Sequence, residues 1–251
     1  MFQQRNAVVV YHASIMLVSY WYKIKPTEGT TMSVCALVAA SECNEEHFKA
    51  LFDAGFFDEV YAVDAGFVYT KACGCDPDLI IGDFDSLGYV PDAQRTAEYP
   101  CDKDETDLEL AFDRARMRRF DTIYVYGALG GRIDMTLATM QTIVRYAQLG
   151  ITVHVIGLAE QLDVVIGPDA LELPAHKDGI VSVFSASDVC EGVIERGLKY
   201  AFNDERITNT TVRGISNEMT GLPAVIGLEK GVLWVFHPID MPELPCTPHT
   251  D

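Results

Sequence analysis

The chain is poor in basic charge: 19 Lys and Arg stand against 37 Asp and Glu, a net charge of −18. Nucleic-acid binders draw affinity from cations set against the phosphate backbone, so this balance excludes a general nucleic-acid binder. Local phosphate recognition through metal, backbone amides and a few chosen cations is still open to it. A membrane-spanning run is also missing. Ala7 to Tyr22 is apolar and aromatic, but His12, Ser14 and Ser19 interrupt it, and it falls short of the ~20 residues a span needs. Arg5 is its only charge and no A-x-A site follows, so a signal peptide is not indicated and no membrane association is expected. The seven cysteines (Cys35, Cys43, Cys73, Cys75, Cys101, Cys190, Cys246) lack the paired C-x2–4-C spacing of a zinc site. They read as reduced thiols of a cytoplasmic protein. The histidines (His12, His47, His154, His176, His237, His249) show no ligand spacing and read as solvated or packed. Internal repeats and low-complexity linkers are absent.

What is present is core material: 49% of the 251 residues are hydrophobic, enough for two modest domains or one large one. Residues 1–31 differ from the rest and read as an extension or a mis-assigned start, because Met32 opens the first clear strand, Val34 to Ala40. From there to about Ile156, apolar runs at Val60–Val63, Leu79–Ile81, Thr122–Tyr126 and Thr152–Ile156 alternate with helical patterns. One helix starts at Asn44 as N-cap and ends at Gly55; another carries Leu108, Ala111, Phe112 and Ala115; a third carries Leu137, Met140, Ile143, Val144 and Ala147. Strands spaced by helices predict an α/β domain over 32–157 with a mainly parallel, Rossmann-like sheet. After Leu158 the helical stripe stops. Strand-like runs at Leu162–Ile166, Ile180–Ser185, Gly192–Glu195, Ala224–Leu228 and Val232–Phe236 predict an all-β sandwich domain over 158–237, with an irregular tail, 238–251.

The chemistry concentrates where strands end. Leu79–Ile81 runs into Gly82-Asp83-Phe84-Asp85-Ser86, and two aspartates at i and i+2 of an extended chain point the same way. Two like charges ~4 Å apart repel by roughly 4 kcal/mol at an effective dielectric near 20, so the pair calls for a proton or a cation, most naturally a hard divalent ion. Asp-x-Asp alone also occurs in turns, in haloacid-dehalogenase-type phosphatases as a nucleophile and in glycosyltransferases as a metal ligand. A second acidic cluster, Asp102-Lys103-Asp104-Glu105-Thr106-Asp107, precedes a helix. It has a plain reading, Asp104 and Asp107 capping that helix, and a sharper one. In the sharper one Asp107 is a third oxygen ligand while Lys103 and the first-turn amides face phosphate. The third element, Gly127-Ala128-Leu129-Gly130-Gly131-Arg132-Ile133-Asp134, lets backbone amides approach an anion and supplies a guanidinium fork. Asp134 then either caps the following helix or holds Arg132. Asp64, Asp83, Asp85 and the Gly127–Gly131 turn all fall at carboxyl ends of strands, where ligands of parallel sheets collect.

Together these motifs resemble the thiamin pyrophosphokinase family over roughly residues 33–236. Gly197-Leu198-Lys199-Tyr200 and Ser216-Asn217-Glu218 extend the likeness in the right order. The resemblance implies a homodimeric, Mg²⁺-dependent enzyme that moves a diphosphate group from ATP to the hydroxyl of thiamin and releases AMP. It implies that Asp83, Asp85 and Asp107 hold Mg²⁺, that Asp64 lines the same site, and that Thr106, Gly130, Gly131 and Asp134 adjoin the nucleotide. Lys103 and Arg132 would stabilise phosphoryl charge, and Ser216 and Asn217 would receive thiamin in a cleft shared between subunits. Three positions depart from the family pattern: Ala65 stands between Asp64 and Gly66, Met135 replaces a frequent His, and Thr139 a common Asn. The rival readings are another Mg-dependent phosphotransferase or phosphatase, and a nucleotide or thiamin sensor without turnover.

Overall fold

The structure, a computed structural model, describes residues 32–82, 96–98, 104–242 and 244. The expectation for residues 1–31 lies outside them. Strand β1 (Val34–Val38) is buried at every position, the signature of a central parallel strand. Helix α1 (Glu45–Asp53) follows, capped as expected by Asn44, whose side chain accepts from the His47 amide at 3.1 Å. It buries Phe48 and Leu51 against the sheet. Then come β2 (Glu59–Val63), α2 (Gly66–Ala72), β3 (Leu79–Gly82), β4 (Thr96–Glu98), α3 (Asp107–Met117), β5 (Thr122–Tyr126), α4 (Ile133–Gln148) and β6 (Thr152–Ile156). These six strands pair in parallel, in the spatial order β6-β5-β1-β2-β3-β4.

Hydrogen bonding continues past residue 157. Strand β7 (Gln161–Ile166) turns back antiparallel on β6, with the Gly157 amide donating to the Glu160 carbonyl at 2.9 Å. Strands β14 (Val232–His237), β9 (Ile180–Ser185) and β12 (Gly214–Glu218) extend the same sheet to ten strands. A second, antiparallel sheet orders β11 (Phe202–Thr208), β10 (Val189–Arg196), β13 (Ala224–Leu228) and β8 (Asp169–Leu173). Val183, Leu233 and Val235 from the first sheet and Val193, Ile226 and Leu228 from the second form the core between them. The fold is therefore a mixed ten-stranded sheet with a sandwich-like second sheet packed on one end.

Helix α2 and strands β4, β8, β11 and β12 are absent from the sequence reading, and for α2, β11 and β12 the reason is physical. Helix α2 has no side-chain cap and is only 7 residues long. Strands β11 (FNDERIT) and β12 (GISNE) are edge strands with polar sequences, formed because a neighbour offers its open edge.

The described histidines are packed, and their partners are specific. Four of the six lie in one network at the seam where parallel pairing gives way to antiparallel. Asp163 on β7 is buried and holds His154 Nδ1 at 2.7 Å on one carboxylate oxygen and His237 Nε2 at 3.0 Å on the other. Asp240 takes His176 Nε2 at 2.5 Å, and its carbonyl meets His47 Nε2 at 3.2 Å. This ties the segment after β14 to α1 and the sheet. Among the described residues no group of His, Cys, Asp and Glu is arranged to hold a metal ion.

Candidate active site

The parallel half sets the site. From β1 the chain moves outward through β2, β3 and β4, then α3 carries it back across to β5 on the other side of β1. The order reverses between β1 and β5, and the crevice at such a switch point, beyond the carboxyl ends, is where open α/β sheets take ligands. Topology delivers the loops after β1, β2 and β5, the carboxyl end of β3, and the first turns of α3 and α4, to that one rim. The opposite ends confirm the polarity: α3 finishes near the start of β1, where the Asp121 amide donates to the Ser33 carbonyl at 3.1 Å.

Asp64 follows β2 directly. Its backbone sits at φ 50, left-handed for a residue with a Cβ, and its amide donates to the Ile81 carbonyl at 2.7 Å. Such a conformation costs on the order of 1–3 kcal/mol and persists where surroundings over-determine it. One carboxylate oxygen of Asp64 is buried without a hydrogen-bond partner. Gly82, which precedes Asp83 in the chain, lies against it; a Cβ at Gly82 would stand 3.1 Å from the Asp64 Cα. Asp83, Asp85 and Lys103 themselves lie outside the described residues.

Asp107 opens α3 on the same rim. The cap is Thr106, whose hydroxyl accepts from the Glu109 amide at 3.2 Å while the Glu109 carboxylate accepts from the Thr106 amide at 3.1 Å. This corrects the plain reading in which Asp104 and Asp107 do the capping. It also engages the Thr106 hydroxyl within its own helix.

The turn after β5 is shaped by close approach. A Cβ at Gly127 (φ 63) would fall 2.3 Å from the Ala39 carbonyl oxygen, and Gly130 (φ 80) and Gly131 (φ 60) continue a left-handed path. Glu42 and Ser41 lie over Gly130 and Gly131, where a Cβ would meet their side chains at 2.6 and 3.0 Å. The Ser41 amide donates to the Gly127 carbonyl at 2.7 Å. Sequence reasoning passed over Ser41 and Glu42; their signal was a small polar residue and an acid straight after the β1 run. Arg132 stands at the N-terminus of α4 and donates through Nε and Nη2 to the two Asp134 oxygens at 3.1 and 2.6 Å. Asp134 thus orients the fork rather than capping the helix, and Arg132 in turn holds its carboxyl below the usual range. Both side chains are exposed.

Ser216 and Asn217 lie elsewhere. They sit on β12, the edge strand farthest from β4, with β9, β14, β7, β6, β5 and β1 between them and β2. At ~4.8 Å per strand that is about 34 Å across the sheet. Ser216 occupies a bulge at φ 53, its amide donating to the Ser182 hydroxyl at 3.1 Å. Asn217 is buried and fully engaged. Its oxygen accepts from the Tyr200 and Glu218 amides at 3.0 and 2.9 Å. Its nitrogen donates to the Tyr200 carbonyl and to Glu195 Oε2, both at 2.7 Å. The Asn217 amide therefore staples the two signatures of the second half together instead of pointing at a ligand. Burial pushes the Glu195 carboxyl up to about 7, with the Asn217 amide pulling the other way.

Residues 54–155 match the family described as thiamin pyrophosphokinase, catalytic domain. The chain is 29% identical over 187 residues to thiamine pyrophosphokinase of Bacillus subtilis (strain 168), covering 71% of this chain and 86% of that protein. Over that segment it is similar to the thiamin pyrophosphokinase family. Thiamin pyrophosphokinase 1 of Caenorhabditis elegans is 26% identical over 157 residues, 57% of this chain and 63% of that one. The crystal structure of the Bacillus subtilis thiamine pyrophosphokinase superposes with a TM-score of 0.70 at 23% identity, covering 83% of this chain and all of that one. Thiamin pyrophosphokinase from Candida albicans gives 0.67 at 15% identity, over 83% and 90%. The fold is thus shared at sequence distances where few side chains are, and the matched segment runs from the end of α1 into β6.

Proposed function

We propose that this protein transfers a diphosphate group from ATP to the hydroxyl of thiamin, giving thiamin diphosphate and AMP. The single observation that carries the reading is the convergence on one rim of Asp64, the Asp107 end of α3 and the Gly127–Arg132 turn. In this reading residues 32–157 are a Rossmann-like nucleotide half and 158–237 the acceptor and dimer half. The reaction joins the acceptor oxygen to the β-phosphorus and breaks the bond from that phosphorus to the oxygen bridging the α-phosphate, so AMP leaves. The triphosphate must be held in one register for attack at the β position, and phosphoryl transfer depends chiefly on such positioning and on offsetting charge.

The donor set at the rim fits Mg²⁺: an orphaned carboxylate oxygen on Asp64 and a carboxylate at Asp107 are the hard oxygen ligands it takes. Asp83, Asp85 and Asp107 would hold the ion, with Asp64 lining the site; bound there, Mg²⁺ would screen charge on the phosphate oxygens. The amides of the Gly130–Gly131 turn cradle phosphate, and Arg132, kept in plane by Asp134, offers its fork to phosphoryl oxygens. Lys103 adds a second cation. A rim carboxylate accepts the proton of the thiamin hydroxyl as the new bond forms.

The distance across the sheet supports a homodimer. One copy does not bring the Ser216 bulge to its own acidic rim, whereas a second copy can present it, with Asn217 holding the bulge from below. No helix of the described residues is long and apolar enough to cross a membrane, which fits action in the cytoplasm. Incubation with ATP, Mg²⁺ and thiamin, followed by separation of nucleotides and thiamin esters, tests the reading. AMP and thiamin diphosphate in equal amounts support it; free phosphate without a thiamin ester, or binding without AMP release, would sink it.

A further inference from the structure

Beneath the Ser216 bulge lies a carboxylate that the proposed chemistry does not use. Glu195, on β10, is fully buried in the core between the two sheets. One oxygen holds Asn217; the other, Oε1, is buried with no hydrogen-bond partner. Gly214 closes over that oxygen: a Cβ there would stand 3.1 Å from Glu195 Oε1 and 2.8 Å from the Val183 carbonyl. Pairing of β12 with β9 shifts register between Gly214 and Asn217, and Ser216 sits in that irregularity. Bulges of this kind re-aim side chains beside functional sites.

The ionisable neighbours are turned to other partners. Flanking β9 and β13 carry none. Lys199 pairs with Glu218 at 2.6 Å and Arg213 with Glu205 at 3.0 Å, both pairs at the surface. On β10 itself, Arg196 is next in the chain and so faces away by strand alternation, Glu191 pairs with Lys230 at 3.4 Å, and the Cys190 thiol donates to the Val232 carbonyl at 3.1 Å. On β11, Asp204 and Arg206 are exposed, and Tyr200 is exposed above the Asn217 staple. Glu195 therefore has no cation of its own, yet its acceptor oxygen fixes the amide that fixes the bulge.

We propose that Glu195 is a positioning residue of the acceptor edge, and that a cationic acceptor docked on the Ser216 bulge draws the proton from its carboxyl. This rests on reading that edge as the thiamin side. The thiazolium ring of thiamin carries a permanent positive charge, and a cation near a desolvated carboxyl favours its ionised form. That form is the better acceptor for the Asn217 amide. Acceptor binding is then linked to proton release near neutral pH, in the range where burial has placed Glu195.

The test is calorimetric titration of the intact protein with thiamin, at pH 7, with Mg²⁺ and a non-hydrolysable ATP analogue present, in buffers of differing ionisation enthalpy. Wild type should release a measurable fraction of a proton per thiamin, and KM for thiamin should fall up to about ten-fold from pH 6 to pH 8 as the carboxyl ionises. An analogue with the thiazolium reduced to a neutral ring should bind without proton release. Glu195→Gln keeps the acceptor for Asn217 and should flatten both effects while kcat at pH 8 stays near wild type. Wild-type binding with no buffer dependence overturns the inference without recourse to any variant, as does a Glu195→Gln protein with an unchanged profile. If thiamin neither binds nor reacts, the thiamin reading fails and takes this inference with it; thiamin diphosphate formed without proton linkage removes only the role of Glu195.

Discussion

Two aspartates, Asp64 in the turn after β2 and Asp163 buried on β7, show how differently the two halves of the molecule treat the same side chain. Asp64, at the carboxyl rim of the parallel half, keeps a carboxylate oxygen without a partner and holds its backbone in a left-handed turn. Asp163, at the seam with the antiparallel half, has both oxygens filled by His154 and His237, with Gln161 bonded to each as well. The first arrangement costs stability and leaves chemistry undone; the second is closed upon itself. A buried polar atom is costly unless it is hydrogen-bonded, so the unpartnered oxygen of half-buried Asp64 is open to a ligand. Asn217 belongs to the second kind although sequence reasoning grouped it with the first.

The largest expected effect tests the closed site. Asp163→Asn leaves two histidines facing a neutral amide, and breaking one partner out of a buried pair typically costs about 3–5 kcal/mol. For a chain of this size that lowers Tm by roughly 6–20 °C, at about 2–4 °C per kcal/mol. Calorimetry decides it; a shift under 2 °C would show that the seam is not holding the sheet together. Asp64→Asn is the mirror image. Turnover should drop by about 10²- to 10³-fold, the scale of losing one preorganised electrostatic group, while Tm holds or rises slightly. If Asp64→Asn unfolds the protein and Asp163→Asn leaves it intact, the comparison is wrong.

A smaller effect comes through pH. Burial disfavours charge on both Asp163 and His154, but their attraction wins: the Asp163 carboxyl is held well below its usual range and His154 is raised. Asp163 therefore contributes stability above the unfolded carboxylate value near 3.9, lost as pH falls through its folded value. His154 contributes below its unfolded value near 6.5, lost as pH rises through its folded value. Glu195, raised by burial to about 7, adds a decline of the same sign as His154 between about pH 4.3 and 7. Denaturant midpoints should peak between about pH 4 and 6 and fall toward pH 8, and Asp163→Asn should lose the His154 share. Midpoints that climb from pH 5 to pH 8 would contradict the assignment.

The parallel half was largely legible because its signals are local. Val34–Val38 is apolar throughout, Asn44 carries its own cap, and Gly127 is needed where the Ala39 carbonyl comes within 2.3 Å of any Cβ. Asp64 and the Gly127–Gly131 turn could be placed on one rim by counting strand ends alone. What sequence hid was long-range. His237 meets Asp163 across 74 residues and Asn217 meets Glu195 across 22, pairings that no spacing rule encodes. The polar edge strand β12 exists because β9 offers it hydrogen bonds, and the continuity of ten strands depends on the tight reversal after β6. The cap of α3 was misplaced for a simpler reason: several acids crowd a stretch where one threonine and Glu109 do the work.

The smallest effect sharpens what the rim is for. Arg132 and Asp134 form an exposed pair, 74% and 66% accessible, and exposed pairs contribute about 0–1 kcal/mol. Asp134→Ala should leave Tm within about 2 °C. Released from Asp134, the guanidinium samples more rotamers and meets phosphoryl oxygens less often, so KM for ATP should rise several-fold while KM for thiamin stays put. Arg132→Lys separates charge from geometry, since a lysine keeps the cation and loses the fork. If Arg132→Lys matches wild type, charge alone suffices at this position; a loss equal to that of Arg132→Ala assigns the effect to the planar fork. A Tm drop of several degrees in Asp134→Ala would place the pair with Asp163 among the groups that hold the fold, and remove it from those that meet the substrate.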